Sequence, residues 1–260
     1  MSSEARKLCI RYRSYIVIPA RLASTRLPRK LLLAETGKTV IQHTYESASH
    51  ARRPLGVVVA ADSQEIADEV RRFGGQSVLT DPAAATGTDR VAEAARALPD
   101  ADVIVNVQGD EPEIAAASID LSVRLLEENP DAVMATLATP IRSRRLLEDP
   151  ACVKVTFDAD GRALYFSRSP IPYARDGCEP LLSVDPPMFH QHVGLYAYRR
   201  DFLLQLAEMA PSPLEQVEKL EQLRVLEAGH QILVGVVTEP TVGIDTRADY
   251  DTFVIRASNC

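Results

Sequence analysis

The stretch Tyr15-Ile16-Val17-Ile18-Pro19-Ala20-Arg21-Leu22-Ala23-Ser24-Thr25-Arg26-Leu27-Pro28-Arg29-Lys30 decides how the chain is read. Tyr15–Ile18 is a short apolar run without alternation, the mark of a strand buried on both faces of a sheet. Four basic side chains (Arg21, Arg26, Arg29, Lys30) and two hydroxyls (Ser24, Thr25) then fall in one loop. Ligands of open α/β sheets bind beyond the carboxyl ends of their strands. Arginine offers an anion a bidentate fork and lysine a point charge, so such a loop suits a polyphosphate. It lacks the glycines of a P-loop.

The same alternation continues outward. Gly56–Ala60, Val103–Val107 and Ala132–Leu137 read as further buried strands. Between them Thr39–Ala51, Ser63–Phe73, Asp89–Ala97 and Ser118–Glu128 read as helices. Strands alternating with helices imply a mostly parallel sheet covered on both faces, an α/β fold of Rossmann-like type. After Pro140 the pattern changes. Val153–Phe157 and Ala163–Ser167 flank Asp158-Ala159-Asp160-Gly161 as a hairpin, a Pro-rich loop runs through Pro187, and a strand covers His192–Tyr198. Ser212-Pro213-Leu214-Glu215 has the capping residue, N1 proline and N3 glutamate of a helix start, predicting one helix to Ala228. A last strand, Ile232–Val236, leads to Gly243-Ile244-Asp245, and Thr246 can cap a C-terminal helix. The expected organisation is a loose arm over residues 1–14 and a single domain over 15–260, with an insertion at about 140–200 serving as a lid or dimerisation element.

Composition narrows the function. Of 260 residues 46% are apolar and 25% charged, enough for a sizeable core. A formal net charge of −7 argues against a nucleic-acid partner whose affinity rests on phosphate neutralisation. Cys9, Cys152, Cys178 and Cys260 have no zinc or redox spacing and read as reduced thiols. No apolar run reaches the roughly 20 residues of a membrane span, and Arg21 interrupts the first one too early for a signal peptide. A cytoplasmic protein is expected.

A second constellation, Asn106-Val107-Gln108-Gly109-Asp110-Glu111-Pro112, follows the Val103–Val107 strand. A carboxylate beside a glycine after a buried strand is a common magnesium ligand, although Asp110 alone reads equally as a turn former or helix cap. Asp245, also past a strand and beside a glycine, is its candidate partner. Two such aspartates suit a phosphoryl-transfer site.

These segments, together with Thr86-Gly87-Thr88-Asp89-Arg90, Tyr165-Phe166-Ser167-Arg168, His192-Val193-Gly194-Leu195-Tyr196 and the helix at Ser212–Leu226, resemble the CMP-Kdo synthetases, the 3-deoxy-manno-octulosonate cytidylyltransferases. The similarity runs in order from Tyr15 to Ile255. The resemblance implies a nucleotidyltransferase fold of the nucleotide-diphospho-sugar transferase type. It also implies the reaction CTP + Kdo → CMP-Kdo + diphosphate, a Mg2+ cofactor, a homodimer, and a place in making lipopolysaccharide or related Kdo-containing polysaccharide. By the same resemblance Lys30, Arg21 and Asp110 are catalytic, and Arg21, Ser24, Arg26, Lys30, Thr88, Asp89 and Gln108 hold the nucleotide. Arg90, Gln108, Arg168, His192, Glu221 and Gln222 hold the sugar acid, while Asp110 and Asp245 hold the metal. Read without it, Arg168 is a surface arginine, His192 a structural strand histidine, and Glu221 and Gln222 the wet face of a helix. Rival readings are another sugar acid (sialic acid or an amino analogue of Kdo), a noncatalytic nucleotide-binding module on the same fold, and a glycosyltransferase. One residue departs from the family pattern: Arg29 stands where glycine is usual, so a left-handed backbone there would be strained.

Overall fold

The computed structural model describes residues 11–238 and 241–258. Strand β1 (Ser14–Ala20) is flanked on one side by β2 (Val57–Ala61) and β3 (Gln76–Leu79), and on the other by β4 (Val103–Asn106), all parallel. The sheet continues through β8 (His190–Arg199), β5 (Met134–Pro140) and β9 (Ile232–Val236), giving the order β3-β2-β1-β4-β8-β5-β9. Only β8 runs against its neighbours on this path. The hairpin β6 (Lys154–Phe157) and β7 (Ala163–Ser167) joins through a short pairing of β6 with β8. The expected insertion is therefore continuous with the main sheet.

Alternate residues of β1 feed two cores. Ile16 and Ile18 pack with helices α1 (Val40–Ser49), α2 (Gln64–Arg72), α4 (Ala116–Glu128) and α9 (Arg247–Ala257). Val17 faces α3 (Gly87–Arg96), α6 (Arg200–Leu206) and α8 (Gln222–Glu227). Both faces of the strand are covered, which is why its sequence shows no alternation. Two short helices complete the set among the described residues: α5 (Arg144–Glu148) and α7 (Pro213–Glu218).

The structure corrects the sequence reading in two places. The edge strand β3 was not expected, because its residues are exposed or half-buried and carry no apolar run. The helix expected from Ser212 to Ala228 breaks in two. Its predicted capping box forms between Ser212 and Glu215, but Lys219 takes a left-handed backbone (φ 56°) and ends α7. The break turns the apolar Leu220 into the core and allows Glu221 and Gln222 to face inward instead of lying on a wet helix face. Of the arm expected over residues 1–14, residues 11–14 are described. Residues 1–10 lie outside the described residues, but Arg13 is tied through its backbone N–H to Asp102 (2.7 Å), and β1 starts at Ser14.

No described helix is long and apolar enough to cross a membrane.

Candidate active site

The chain passes from β3 on one side of β1 to β4 on the other, so the strand order reverses between β1 and β4 and their carboxyl ends open a crevice there. Three loops meet in it. The loop after β1 carries Arg21, Ser24 and Arg26 and ends in a 3-10 turn at Lys30–Leu32. The loop after β4 carries Gln108, Gly109 and Asp110; a side chain on Gly109 would sit 2.9 Å from the Pro19 carbonyl oxygen, so only glycine permits the close approach of the two loops. The third loop is held by a backbone hydrogen bond from Ile244 N–H to the Asp110 carbonyl (2.9 Å), which sets Asp245 beside Asp110. Together they line an open cleft of ≈ 440 Å³ that also includes Thr25 and Gly87.

Inside the cleft Lys30 Nζ lies 2.5 Å from Asp110 Oδ2 and 3.2 Å from Asp245 Oδ1, and Arg26 pairs with Asp245 at 3.0 Å. Two carboxylates thus converge on one positive charge. All-oxygen donors, partly open to water and next to basic side chains, suit magnesium, which binds one or two carboxylates and keeps water and phosphate oxygens in its shell. Asp110 and Asp245 fit that role, with the Lys30 ammonium now standing between them. Arg21 is exposed on the cleft wall and reaches the Ala84 carbonyl at 3.5 Å.

Arg29, just before Lys30, has φ 55°. The left-handed backbone that glycine would take freely is here occupied by arginine, at a cost on the order of 1 kcal/mol. Arg29 pairs with Glu65 (Nη1–Oε2 3.1 Å), which partly offsets it. The loop after β1 thus keeps the backbone expected of a glycine at this point.

The segment Thr86–Arg90 divides its roles. Thr86 caps α3, accepting from Asp89 N–H, while Asp89 Oδ2 accepts from Thr86 N–H. Asp89 is thereby occupied as half of a capping box and orients the helix start, with Gly87 in the cleft wall. Thr88 turns away and donates to Glu221 Oε2 at 2.5 Å. Arg90 is fully buried, its Nη1 holding Thr80 Oγ1 (2.6 Å) and the Asp81 carbonyl (3.1 Å). It braces the loop after β3, and burial pulls its pKa down.

Of the residues expected to hold the sugar acid, His192 and Gln222 meet through Tyr196 in a second group, with Glu221 beside it. His192 Nε2 is 2.9 Å from Thr136 Oγ1, with its ring against Phe166 and Tyr196. Burial pushes its pKa down to about 3, so it is a neutral imidazole at ordinary pH. Tyr196 donates to Gln222 Oε1 at 3.4 Å, and burial pushes up the pKa values of Tyr196 and Glu221. Buried Gln222 Nε2 and Glu111 Oε2 have no hydrogen-bond partner among the described residues. Burial, followed by the Asp110 charge, pushes Glu111 up to about 8. Arg168 sits at the end of β7; its Nε donates to the Glu218 carbonyl (2.7 Å), Nη1 to the Pro150 carbonyl (3.0 Å) and Nη2 to the Lys219 carbonyl (3.4 Å). It latches the hairpin to the α7–α8 break.

Sequence reasoning therefore gathered Arg21, Ser24, Arg26, Lys30, Gln108, Asp110 and Asp245 into one cleft. Arg90 is not in that cleft's lining, and Thr88 joins the Glu221 group. Tyr196, Thr136 and Glu111 were missed as site residues. Tyr196 and Glu111 lay inside quoted motifs, but their burial has no local sequence signal.

A parallel-sheet crevice with a basic loop facing paired aspartates defines a nucleotidyltransferase. A cytidylyltransferase family model matches residues 15–232. A 3-deoxy-manno-octulosonate cytidylyltransferase of Rhodopirellula baltica is 50% identical over 242 residues, 93% of this chain and 97% of that protein. Its counterpart in Geobacter metallireducens is 47% identical, covering 93% and 96%. Among solved structures, a CMP:2-keto-3-deoxy-manno-octonic acid synthetase complexed with CTP matches with a TM-score of 0.88 and 38% identity, over 95% of this chain and 99% of that one. The chain belongs to the cytidylyltransferase family, within its 3-deoxy-manno-octulosonate cytidylyltransferases.

Proposed function

We propose that this enzyme transfers the cytidylyl group of CTP to the anomeric hydroxyl of Kdo, giving CMP-Kdo and diphosphate. The observation that carries the reading is the cleft itself, where Arg21, Arg26 and Lys30 face Asp110 and Asp245 at the β1/β4 crevice.

The residues act by position and charge. Arg21, Arg26 and Lys30 bind the triphosphate, and Lys30, the least exposed of the three, neutralises charge that builds at the α-phosphate as the P–O bond to diphosphate breaks. Gln108 and the start of α3 hold the nucleotide against the sheet. Asp110 and Asp245 hold Mg2+, which when bound lowers the pKa of the attacking hydroxyl and offsets phosphate charge. His192, Glu221 and Gln222 offer neutral and anionic hydrogen-bonding groups to a polyol. Arg168 supplies a cation for the sugar carboxylate. To do so its Nη1 and Nη2 must exchange or share their contacts with the Pro150 and Lys219 carbonyls. The hydroxyl oxygen attacks the α-phosphorus in line, its proton leaves to solvent, and diphosphate departs.

By the same reading the enzyme works in the cytoplasm as a homodimer and supplies activated Kdo for lipopolysaccharide or a related polysaccharide. Diphosphate release, measured with CTP against a panel of sugar acids with and without magnesium, tests it. Turnover confined to Kdo is expected. Faster turnover of sialic acid or an amino analogue would overturn the substrate, and no release with any acid would overturn the enzymatic reading.

A further inference from the structure

Lys154 is a fully buried lysine whose charge meets no carboxylate within hydrogen-bonding distance among the described residues. Its Nζ donates to three backbone carbonyls: Asp149 at 3.0 Å, Cys152 at 2.7 Å and Arg168 at 2.5 Å. An ammonium has three donors, so all are used. Burying a charge is costly unless its hydrogen bonds are made, and a buried methionine would fill similar space without that cost. Something other than core packing is needed to explain a lysine here.

Its position supplies the reason. Lys154 stands where β6 meets both neighbours, opposite Ser167 on β7 and Gln191 on β8. The residue after each partner is a sugar-pocket residue. Arg168 gives Lys154 its carbonyl, and His192 N–H donates to the carbonyl of Val153 at 2.8 Å. The other two carbonyls that Lys154 holds bracket Pro150, whose own carbonyl accepts from Arg168 Nη1 at 3.0 Å. Lys154 thus fixes the Arg168 backbone and, through the 149–152 turn, one of the contacts that aims its guanidinium.

We propose that Lys154 is a positioning residue for sugar-acid binding, holding Arg168 in the geometry that receives the sugar carboxylate. This rests on the reading of Arg168 given under Proposed function. Without Lys154 the Cys152 and Arg168 carbonyls lose this donor, the Asp149 carbonyl keeps only Cys152 N–H (3.1 Å), and Arg168 is left with its N–H on Glu218 Oε2 (3.0 Å) but no hold on its carbonyl from Lys154, while none of these residues lines the nucleotide cleft.

The test is steady-state kinetics on the full-length enzyme with magnesium, for Lys154→Met, Arg168→Ala and the double variant. Lys154→Met is expected to raise KM for Kdo about ten- to hundredfold, as a small displacement of a binding group does, with KM for CTP within about twofold. The double variant should be no worse for Kdo than Arg168→Ala alone, because both act through one guanidinium. If Lys154→Met does not accumulate as folded protein, Lys154→Gln, shorter but still a donor, is measured instead, with a smaller rise expected. A Kdo-specific defect in Arg168→Ala without one in the Lys154 variant overturns the proposal. So does a Lys154 variant that raises both KM values together or lowers kcat alone, as a merely structural role would. No Kdo-specific defect in Arg168→Ala overturns the assignment of Arg168 itself, which separates the two failures.

Discussion

Lys30 and Asp245, 215 residues apart in the chain, meet at 3.2 Å across the cleft, and the same ammonium lies 2.5 Å from Asp110. The cation that the proposed reaction aims at the triphosphate is therefore parked between the two carboxylates proposed to hold magnesium. Nucleotide and metal have to separate this trio, with Lys30 moving to phosphate as the aspartates take the metal.

Removing one carboxylate should break the site without breaking the fold, since Asp110 and Asp245 are partly exposed. Asp110→Asn and Asp245→Asn are each expected to lower kcat by at least about a hundredfold, in the range of other electrostatic deletions at reacting centres. Lys30→Ala should lose a similar factor. Turnover measured across a magnesium titration, with circular dichroism as the folding control, checks this. Asp245→Asn with near-normal turnover at saturating magnesium would remove it from the metal site.

Arg29→Gly is expected to be well tolerated. It relieves the left-handed strain on the order of 1 kcal/mol but gives up the exposed pair with Glu65, worth about as little, and frees the unfolded chain. Turnover and KM for CTP should stay within about twofold of the parent. Arg29→Pro, whose fixed φ cannot reach the left-handed region, should cost much more at the same position. Equal tolerance of both would show that the loop backbone does not need this conformation.

The proposed homodimer has a visible reason in the hairpin. Among the described residues strand β7 pairs as a strand only with β6, and Leu164 on it and Val217 on α7 are largely exposed. An open edge bearing apolar side chains invites a partner. Sedimentation equilibrium at micromolar concentration should give a dimer, and a combined Leu164→Glu, Val217→Glu variant should shift it towards monomer. A monomeric parent protein would refute the assembly.

Much of the sheet was legible because its strands are buried on both faces and so appear as continuous Val/Ile runs; β1, β2, β4 and β9 all carry that mark. Strand β3 was not, since an exposed edge strand needs no apolar pattern. The β1/β4 cleft was legible for a related reason: its residues sit in loops after those strands, where topology alone brings them together. The Glu221 group was not. Whether Glu221 and Gln222 face water or core depends on the break at Lys219, and a lysine at φ 56° has no composition signal of the kind a glycine gives. Arg168 and Lys154 make sense only once the hairpin is docked, because their side-chain donors end on backbone carbonyls, and carbonyls are the same in every residue.

The buried histidine gives a pH dependence whose sign can be worked out. In the unfolded chain His192 titrates near its ordinary 6.5; in the fold burial takes it down to about 3. Between these values the unfolded state binds more protons than the folded one, so stability rises with pH across this window and falls on acidification. The contribution is complete above pH 6.5 and is lost progressively as pH drops towards 3. At pH 4.5 the loss relative to pH 7 should be roughly 2–3 kcal/mol, at about 1.4 kcal/mol per pH unit. His192→Gln keeps a group able to bond Thr136 but cannot gain a proton, so its stability should fall less over pH 7 to 4.5. Urea unfolding of both proteins at several pH values measures the difference. The same substitution should weaken Kdo more than CTP, because His192 lies beside Tyr196 and Phe166 in the second group and is not in the lining of the β1/β4 cleft. Parallel acid limbs for the two proteins would mean that His192 does not stay neutral in the fold, and its place as an uncharged partner for a sugar hydroxyl would go with it.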